Sequence, residues 1–431
     1  MTLESVQQTP PPEGDPGADS DPGPAFWLYW SHLVALFGLA LSNLFLGLTL
    51  LLAPFRRSFR SLDRRRFRPV LLALGVYALL LVLSTAGSHQ PRESVGELGE
   101  LFNLSTLVLG LLLVRGERRI RLAIDGVVLL ATAESLVGLA QLAVHGTIDL
   151  SHRIPGTFSH YMTLSGILMI ADLLLCAELA AGRRVGGWRW IALIPINVAL
   201  LSSLTRSAWV GVAAGFLILL LLGRRRLRLA AAGFALILLL ALSQGPVAQR
   251  IGSIVDLSDP TNYDRLAMAW AGLHMVADRP ILGQGPGMVS ERYPLYRHPT
   301  APRHSVPHLH DSYLQMAAER GVPAFLALLS LFAVSGFRTF RLFRRGGARE
   351  GPRADLYVGV LAAFGGFLVA ALFEDSWNDT EVQRLMLFLL AVPYGLDEGE
   401  EEDPAESFTT RSSGSPRPSP GAPTLPGSGA G

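Results

Sequence analysis

Long apolar runs limit what this 431-residue chain can fold into more than any other feature. They are about 17–25 residues long, and a helix of that length crosses a hydrocarbon core about 30 Å thick. The runs do not alternate polar and apolar residues, as the strands of a membrane barrel would. The sequence therefore predicts an all-α fold, a polytopic transmembrane helical bundle.

Eleven apolar segments lie between two polar tails. The first is long enough to be either one tilted helix or a hairpin that turns near Ser42 and Asn43, so we expect 11 or 12 spans. The segments cover residues 26–53, 69–87, 98–114, 122–144, 161–181, 188–204, 206–222, 228–243, 322–343, 356–373 and 381–395.

Arginine clusters predict the orientation of these spans. They occupy every second connection and hold 24 of the 37 basic residues, and short basic loops stay in the cytoplasm. The connections between the clusters, including the long insert and residues 374–380, are therefore expected outside. The clusters cover residues 56–68, 115–121, 183–189, 224–228 and 338–353.

The predicted organisation has five parts. Two tails rich in proline, glycine and acidic residues should be disordered. We divide the chain into an N-terminal tail (1–24), transmembrane helices (25–243), a long external loop (244–321), C-terminal transmembrane helices (322–395) and a cytoplasmic tail (396–431).

The basic residues are all arginines. Without lysine the chain lacks the residue that Walker phosphate loops and Schiff-base chemistry need. The one cysteine, Cys176, lies in an apolar run and is expected to be a small buried hydrophobe.

The external loop concentrates polar chemistry, because it holds seven arginines and five of the ten histidines. Residues 262–277 are predicted to form a helix with an apolar stripe that includes Leu266, Trp270 and Leu273. This helix should lie along the membrane surface or cap a cavity, with Arg265 projecting near its start. The glycine-rich turn 280–287 follows, and it allows close approach of the backbone to a neighbour or a ligand.

Three arginines outside this loop interrupt the apolar pattern: Arg153, Arg206 and Arg384. Ionisable residues at membrane depth usually pair or line an aqueous site. The alternative for each is an arginine that reaches out to water or to lipid headgroups. Guanidinium forks bind phosphate oxygens in pairs, so Arg153 and Arg206 are candidate anion ligands.

His310 lies at the start of a predicted helix that runs directly into the span beginning at Val322. A histidine there can accept a proton near neutral pH. It could equally be a structural residue at a helix N-terminus. A zinc site of His304, His308 and His310 is a further alternative, although the spacing fits no standard zinc pattern.

Four segments together resemble the O-antigen ligase and O-antigen polymerase superfamily, a group of bacterial membrane glycosyltransferases. They are Arg153-Ile-Pro-Gly-Thr-Phe158, Thr205-Arg206-Ser-Ala, Arg265 with the turn Pro280-Ile-Leu-Gly-Gln-Gly-Pro-Gly287, and His310-Asp-Ser-Tyr-Leu-Gln315 with Glu319 and Gly321. The resemblance covers roughly residues 145–345. The chain departs from the family at Asp311, where asparagine is usual, and that negative charge could raise the basicity of His310.

The resemblance implies a fold like that of the C-type glycosyltransferases, with loop 244–321 periplasmic and the protein in the inner membrane. The expected partners are a glycan donor on undecaprenyl diphosphate, a glycan or glycolipid acceptor and membrane lipids. Neither a nucleic acid, a metal nor another cofactor is expected. His310 would act as the base, with Asp311, Tyr313 and Glu319 in support, while Arg153, Arg206 and Arg265 would hold the diphosphate.

The alternatives differ in class. Ligase and polymerase share these motifs, and the sequence does not separate them. A transporter of anionic lipid-linked glycans would use Arg153 and Arg206 to line a pathway. A glycosyltransferase with an external carboxylate base and a metal would need Glu93, Glu97 or Glu100.

Overall fold

A computed structural model describes residues 22–53, 64–146, 153–180, 187–223, 259–347, 351 and 353–396. Within these ranges the regular structure is helical throughout, with no strand, so the predicted all-α class is confirmed. The two predicted tails lie almost wholly outside the described residues, as does the predicted span 228–243.

The helices follow the predicted apolar segments closely. Their bounds are α1 Pro24–Val34, α2 Leu39–Leu52, α3 Arg64–Ala86, α4 Pro91–Ser94, α5 Glu100–Leu113, α6 Glu117–His145, α7 Tyr161–Ala180, α8 Gly187–Ser202, α9 Arg206–Leu222, α10 Pro260–Asp278, α11 Val289–Tyr296, α12 Ser312–Arg320, α13 Val322–Arg345, α14 Ala354–Ala370 and α15 Thr380–Gly395.

Five helical stretches among the described residues are long and apolar enough to cross a membrane. They are Arg66–Ala86, Pro91–Leu113, Glu117–His145, Tyr161–Leu179 and Val322–Arg345. Four shorter apolar helices, α2, α8, α9 and α14, accompany them. The chain is therefore a multi-pass membrane protein.

The first apolar segment breaks at a different point from the one predicted. Helix α1 passes through a short 3-10 turn, Ala35–Phe37, and α2 begins after Gly38. Ser42, where a turn was expected, lies inside α2, and its hydroxyl donates to the His32 carbonyl oxygen at 3.1 Å. The segment is thus two helices that pack against each other, with the break four residues earlier.

Helices α7, α9 and α14 pack closely at the centre of the bundle. Small residues make this possible: a Cβ atom added to Gly211 of α9 would lie 2.7 Å from the carbonyl oxygen of Gly366 in α14. Close backbone approach of this kind is how helices associate in lipid, where the hydrophobic effect does not drive them together. The packed centre gives the external loop a rigid base.

The external loop folds over one end of the bundle as α10, α11 and α12. The glycine-rich turn between α10 and α11 packs on the end of α12, where the amides of Gln284 and Gly285 donate to the carbonyls of Ala318 and Glu319. Gly283 has a φ of +67°, and a Cβ there would lie 2.3 Å from the Glu319 backbone. The turn therefore packs closely against the end of α12, next to the first turn of α13.

Helix α10 matches its predicted bounds within two residues, and its predicted apolar stripe faces outward, which agrees with a helix at the membrane surface. Leu266, Trp270 and Leu273 are about half exposed, at 54, 49 and 61%. The buried face instead carries small and flexible residues such as Ala271 and Met275. An exposed apolar face on an external helix is the pattern of a helix that lies in the membrane interface.

Candidate active site

A cavity of about 270 Å³ lies where the start of α9, helix α10, the start of α12 and the connection after α14 meet. Its lining includes Arg206, Arg265 and His310, three residues that the sequence analysis selected. Asp311 adds a further polar group, and apolar side chains form much of the remaining wall. We call this space the His310 cavity. The cavity brings two arginines and a histidine together, although Arg206 and His310 lie more than 100 residues apart in the sequence.

Arg206 reaches the cavity from a sharp turn between two membrane helices. Helix α8 ends at Ser202, and Leu204 has a φ of +48°, which non-glycine residues rarely adopt. The Ser203 hydroxyl accepts a hydrogen bond from the amide of Thr205 and so closes the turn. Arg206 therefore begins α9 with only 6% of its surface exposed, at the edge of the bundle.

Besides Leu204, His310 is the one non-glycine residue in the described ranges that has a left-handed backbone, with a φ of +52°. Its Nδ1 atom lies 3.0 Å from Oε1 of Glu374. The adjacent Ser312 ties the segments together, because its amide donates to Ala371 and its hydroxyl to the Glu374 carbonyl, both at 2.9 Å. A left-handed backbone costs about 1–2 kcal/mol and persists only where the surroundings impose it. The fold thus holds this ring in one orientation.

Glu374 is the residue that the sequence analysis missed. Its side chain is almost fully buried, and Oε2 lies 3.7 Å from the Arg265 guanidinium. Burial alone would raise the pKa of this carboxyl, but the hydrogen bond from His310 and the positive charge of Arg265 lower it below its ordinary value. Glu374 is therefore ionised at neutral pH. An acidic residue in a short connection between two apolar segments was the available signal.

Arg153 lies beside the cavity and is not among its lining residues. Its guanidinium sits over the ring of Tyr161, 4.3 Å from the centroid. Arg265 and Arg153 both lie close enough to Arg206 for their positive charges to repel its guanidinium. The three predicted diphosphate ligands thus share one electropositive region, with Arg153 at its margin.

The segment that carries Arg153 is anchored by helix α6. The amide of Thr157 donates to Glu134 at 2.8 Å, and the side chain of Gln141 bonds both the amide and the carbonyl of Gly156. Gly156 has a φ of +66°, and a Cβ there would lie 2.6 Å from the Glu134 carboxylate. The left-handed backbone therefore favours glycine at this position, and the hydrogen bonds to α6 hold the arginine near the cavity.

The three predicted supporting residues have separate positions. Asp311 caps helix α12, where its carboxylate accepts from the amides of Tyr313 and Leu314, and it is Glu374 that contacts the imidazole of His310. The Tyr313 hydroxyl donates to the Leu368 carbonyl. Glu319 lies at the other end of α12, buried against the amide of Val289. The carboxylate that contacts the His310 ring is thus that of Glu374 and not that of Asp311.

A metal ion could be held by His308, His310 and Glu374, whose ligand atoms lie within 4.8 Å of one another. His304, which the zinc alternative included, is exposed and outside this group. Burial lowers the pKa of His308 to about 4, so His308 is neutral at pH 7. The arginines beside this group add positive charge that disfavours a divalent cation.

A second buried arginine group lies across the connection Ala371–Asp379. Arg320 forms an ion pair with Glu100 at 2.7 Å and donates to Asn378, and Glu100 also accepts from Trp377 and Tyr77. We call this set the Arg320 network. Glu100 was a candidate base in the alternative of a metal-dependent glycosyltransferase. In the structure its carboxylate is ion-paired and hydrogen-bonded to neighbouring helices.

Arg384 belongs to neither group. Its guanidinium donates to Asn103, Ser42 and Asn43, which joins α15 to α5 and α2. Of the three arginines that interrupt the apolar pattern, Arg206 lines the His310 cavity and Arg153 lies at its margin. Arg384 is 2% exposed and lines a different cavity together with Arg320.

Comparison with known proteins agrees with the resemblance drawn from the motifs. Residues 190–329 match the family model described as O-antigen ligase, so the chain contains an O-antigen ligase family domain. This range holds Arg206, Arg265 and His310 but not Arg153 or Glu374. No curated protein sequence matches the chain.

Proposed function

We propose that the chain is an O-antigen ligase-like glycosyltransferase of the bacterial inner membrane. It moves a glycan from undecaprenyl diphosphate to a hydroxyl group of an acceptor sugar, such as a lipid A core, on the periplasmic face. The family domain and the multi-pass membrane fold support this assignment. The observation that carries it is the single cavity lined by Arg206, Arg265 and His310.

His310 is the proposed general base. Because the Glu374 carboxylate is ionised and can only accept, Nδ1 of His310 carries the proton between them. Nε2 is then the nitrogen with a free lone pair. It takes the proton of the acceptor hydroxyl as that oxygen bonds to the anomeric carbon of the donor. The carboxylate stabilises the imidazolium that forms, and a base positioned in this way contributes about 10²–10⁴-fold to the rate.

The arginines are proposed to bind the leaving group. The bond between the anomeric carbon and the diphosphate oxygen breaks, and the undecaprenyl diphosphate gains negative charge. Fixed guanidinium groups stabilise that charge as it develops, without reorganising during the reaction. Arg206 and Arg265 line the cavity, and Arg153 adds its charge from the margin. The exposed apolar face of α10 borders the same cavity through Leu266 and would contact the lipid part of the donor.

The direct test is transfer by the purified full-length protein from an undecaprenyl-diphosphate-linked donor. We expect wild-type turnover, with large losses in His310→Ala and Arg206→Ala. Full turnover in both variants would contradict the proposed site. Movement of the donor across a vesicle membrane without a covalent product would instead favour a transporter.

Two additions refine the test. Turnover that persists in a chelator is expected, and its loss and recovery with added Zn²⁺ would implicate the group His308, His310 and Glu374. Products from cells that lack the chain distinguish the acceptors. Unattached polymer would accumulate if the enzyme is a ligase, whereas single repeat units would accumulate if it is a polymerase.

A further inference from the structure

A basic cavity of about 290 Å³ lies where the start of α3 meets the ends of α13 and α15. Four arginines line it, Arg66, Arg338, Arg341 and Arg345. Helix α13 separates it from the His310 cavity, because α13 starts directly after α12 and its 24 residues extend about 36 Å. The basic cavity therefore lies at the opposite face of the bundle, where the sequence predicts the cytoplasm.

Positive charge dominates the basic cavity. None of the described residues that line it is acidic. Arg341 and Arg345 are exposed, and neither forms an ion pair with a described residue. Aromatic rings orient two of the guanidinium groups: Arg341 lies 4.9 Å from the centroid of Phe337, and Arg338 lies 4.7 Å from that of Tyr394. Several guanidinium groups around one cavity form a site for phosphate oxygens.

The rim of the basic cavity is apolar on one side. Phe337 lines the cavity and is 62% exposed, and Val334 lines it one helical turn away. Helix α13 continues this outward apolar face through Leu326, which is 55% exposed. In a membrane protein such a face contacts acyl chains. The ligand that matches both features has a phosphate group joined to hydrocarbon chains.

We propose that the basic cavity binds the headgroup phosphate of an anionic phospholipid from the cytoplasmic leaflet, with an acyl chain along Phe337 and Val334. Basic pockets between transmembrane helices on this side bind such headgroups. The bound lipid bridges α3, α13 and α15, whose ends all contribute to the cavity. This site is independent of the glycosyl transfer proposed above.

The test measures lipid binding to the full-length protein in neutral detergent by native mass spectrometry. Phosphatidylglycerol, cardiolipin and phosphatidylcholine with the same acyl chains are titrated, and inorganic phosphate is added as a competitor. We expect phosphatidylglycerol and cardiolipin to bind more tightly than phosphatidylcholine. The double variant Arg341→Gln/Arg345→Gln should weaken their binding about tenfold or more.

The matched control is Arg68→Gln/Arg344→Gln. These two arginines are exposed, lie on α3 and α13 at the same end of the bundle, and do not line the cavity. The control removes the same charge and should bind lipid like the wild type. Arg341→Lys/Arg345→Lys should give an intermediate affinity, because lysine keeps the charge and loses the fork.

Three outcomes would overturn the proposal. Equal losses in the two glutamine variants would mean general charge attraction, and no loss in either would mean that the cavity is not the binding site. Displacement of the lipid by inorganic phosphate at equal concentration would mean a site for free phosphate. Far-ultraviolet circular dichroism checks that each variant remains folded.

Discussion

The His310 cavity and the Arg320 network both contain arginines and carboxylates, but in different arrangements. In the network, Arg320 is 2% exposed, and its charge is met by Glu100 and by polar groups of Tyr77 and Asn378. In the cavity, arginines face a hollow, and the nearby carboxylate of Glu374 is shared between a histidine and Arg265.

The connection Ala371–Asp379 serves both regions. Glu374 contacts His310 on one side, while Trp377 and Asn378 belong to the network on the other. Arg320 also borders a cavity, of about 370 Å³, so space beside a buried arginine does not by itself indicate function. The close ion pair with Glu100 is what distinguishes the network. Substitutions should separate the two regions, because the cavity should control turnover and the network should control stability.

The largest expected effect is on turnover in His310→Ala. We expect transfer to fall about 10²–10⁴-fold because the proposed base is lost. The thermal midpoint should change little, since the ring is partly exposed and its backbone is strained. His310→Gly should be more stable than His310→Ala, because glycine adopts a φ of +52° without cost. A loss of folding with no loss of turnover per folded molecule would make His310 structural.

Next is Arg320→Met, which should lower the free energy of unfolding by about 3–5 kcal/mol. The reason is that Glu100 remains buried with its charge uncompensated. Denaturation in detergent measures this change. Adding Glu100→Gln should recover much of the stability, because the amide can still accept from Trp377 and Tyr77. Turnover per folded molecule should stay near the wild-type value, and a specific loss of turnover would remove the distinction between the two regions.

Arg206→Gln and Arg265→Gln should each reduce turnover by about 10²–10³-fold, the effect of removing one preorganised donor to a developing negative charge. Steady-state transfer kinetics measure both. The control is Arg92→Gln, an exposed arginine on the same predicted external side that lines neither region. Equal effects in all three variants would indicate that only the overall positive charge matters.

The smallest expected effect concerns pH. Burial raises the pKa of Glu319 from 4.5 to about 7. A carboxyl whose folded pKa is raised binds its proton more tightly in the folded state, so its stabilisation is present below pH 4.5 and is lost as the pH rises through 7. Glu319→Gln should flatten this part of the stability curve. Some dependence should remain, because burial raises the pKa of Asp375 to about 8.

The contribution of Glu374 to stability depends on pH in the opposite direction. Its folded pKa is lowered, so its contribution is present above the ordinary pKa and is lost on acidification. Unfolding midpoints measured from acid to neutral pH in Glu319→Gln and Glu374→Gln should therefore change in opposite senses. A common shift in both would contradict the separation of the cavity carboxylate from the one beside the network.

The secondary structure was largely predictable. Helix α10 was expected at residues 262–277 and is found at Pro260–Asp278, because length and hydrophobicity are local properties of the chain. The sequence also predicted that this helix lies along the membrane surface or caps a cavity, and its exposed apolar face and its part in the His310 cavity agree with that expectation. Ala271 and Gly272 face the protein, where their small size allows close packing, and the large apolar residues face outward.

Among the site residues, the motifs brought Arg206, Arg265 and His310 to attention, and the structure brings them to one cavity, while their catalytic roles stay predictions. Glu374 was missed because its importance depends on a partner 64 residues away. The difference between Arg384 and Arg206 was equally unresolved in the sequence, since nothing local shows which of two buried arginines donates to the side-chain amides of neighbouring helices and which lies beside His310.

The amino-acid sequence by itself determined that this is an all-helical, multi-pass membrane protein with an O-antigen ligase family domain, because apolar runs and short motifs are contiguous. Only the tertiary structure decided which charges meet. His310 with Glu374, and Trp377 with Glu100 across 277 residues, are brought together by helix packing. Charge pairing depends on distances of a few ångströms between separate elements, and linear order does not encode these distances.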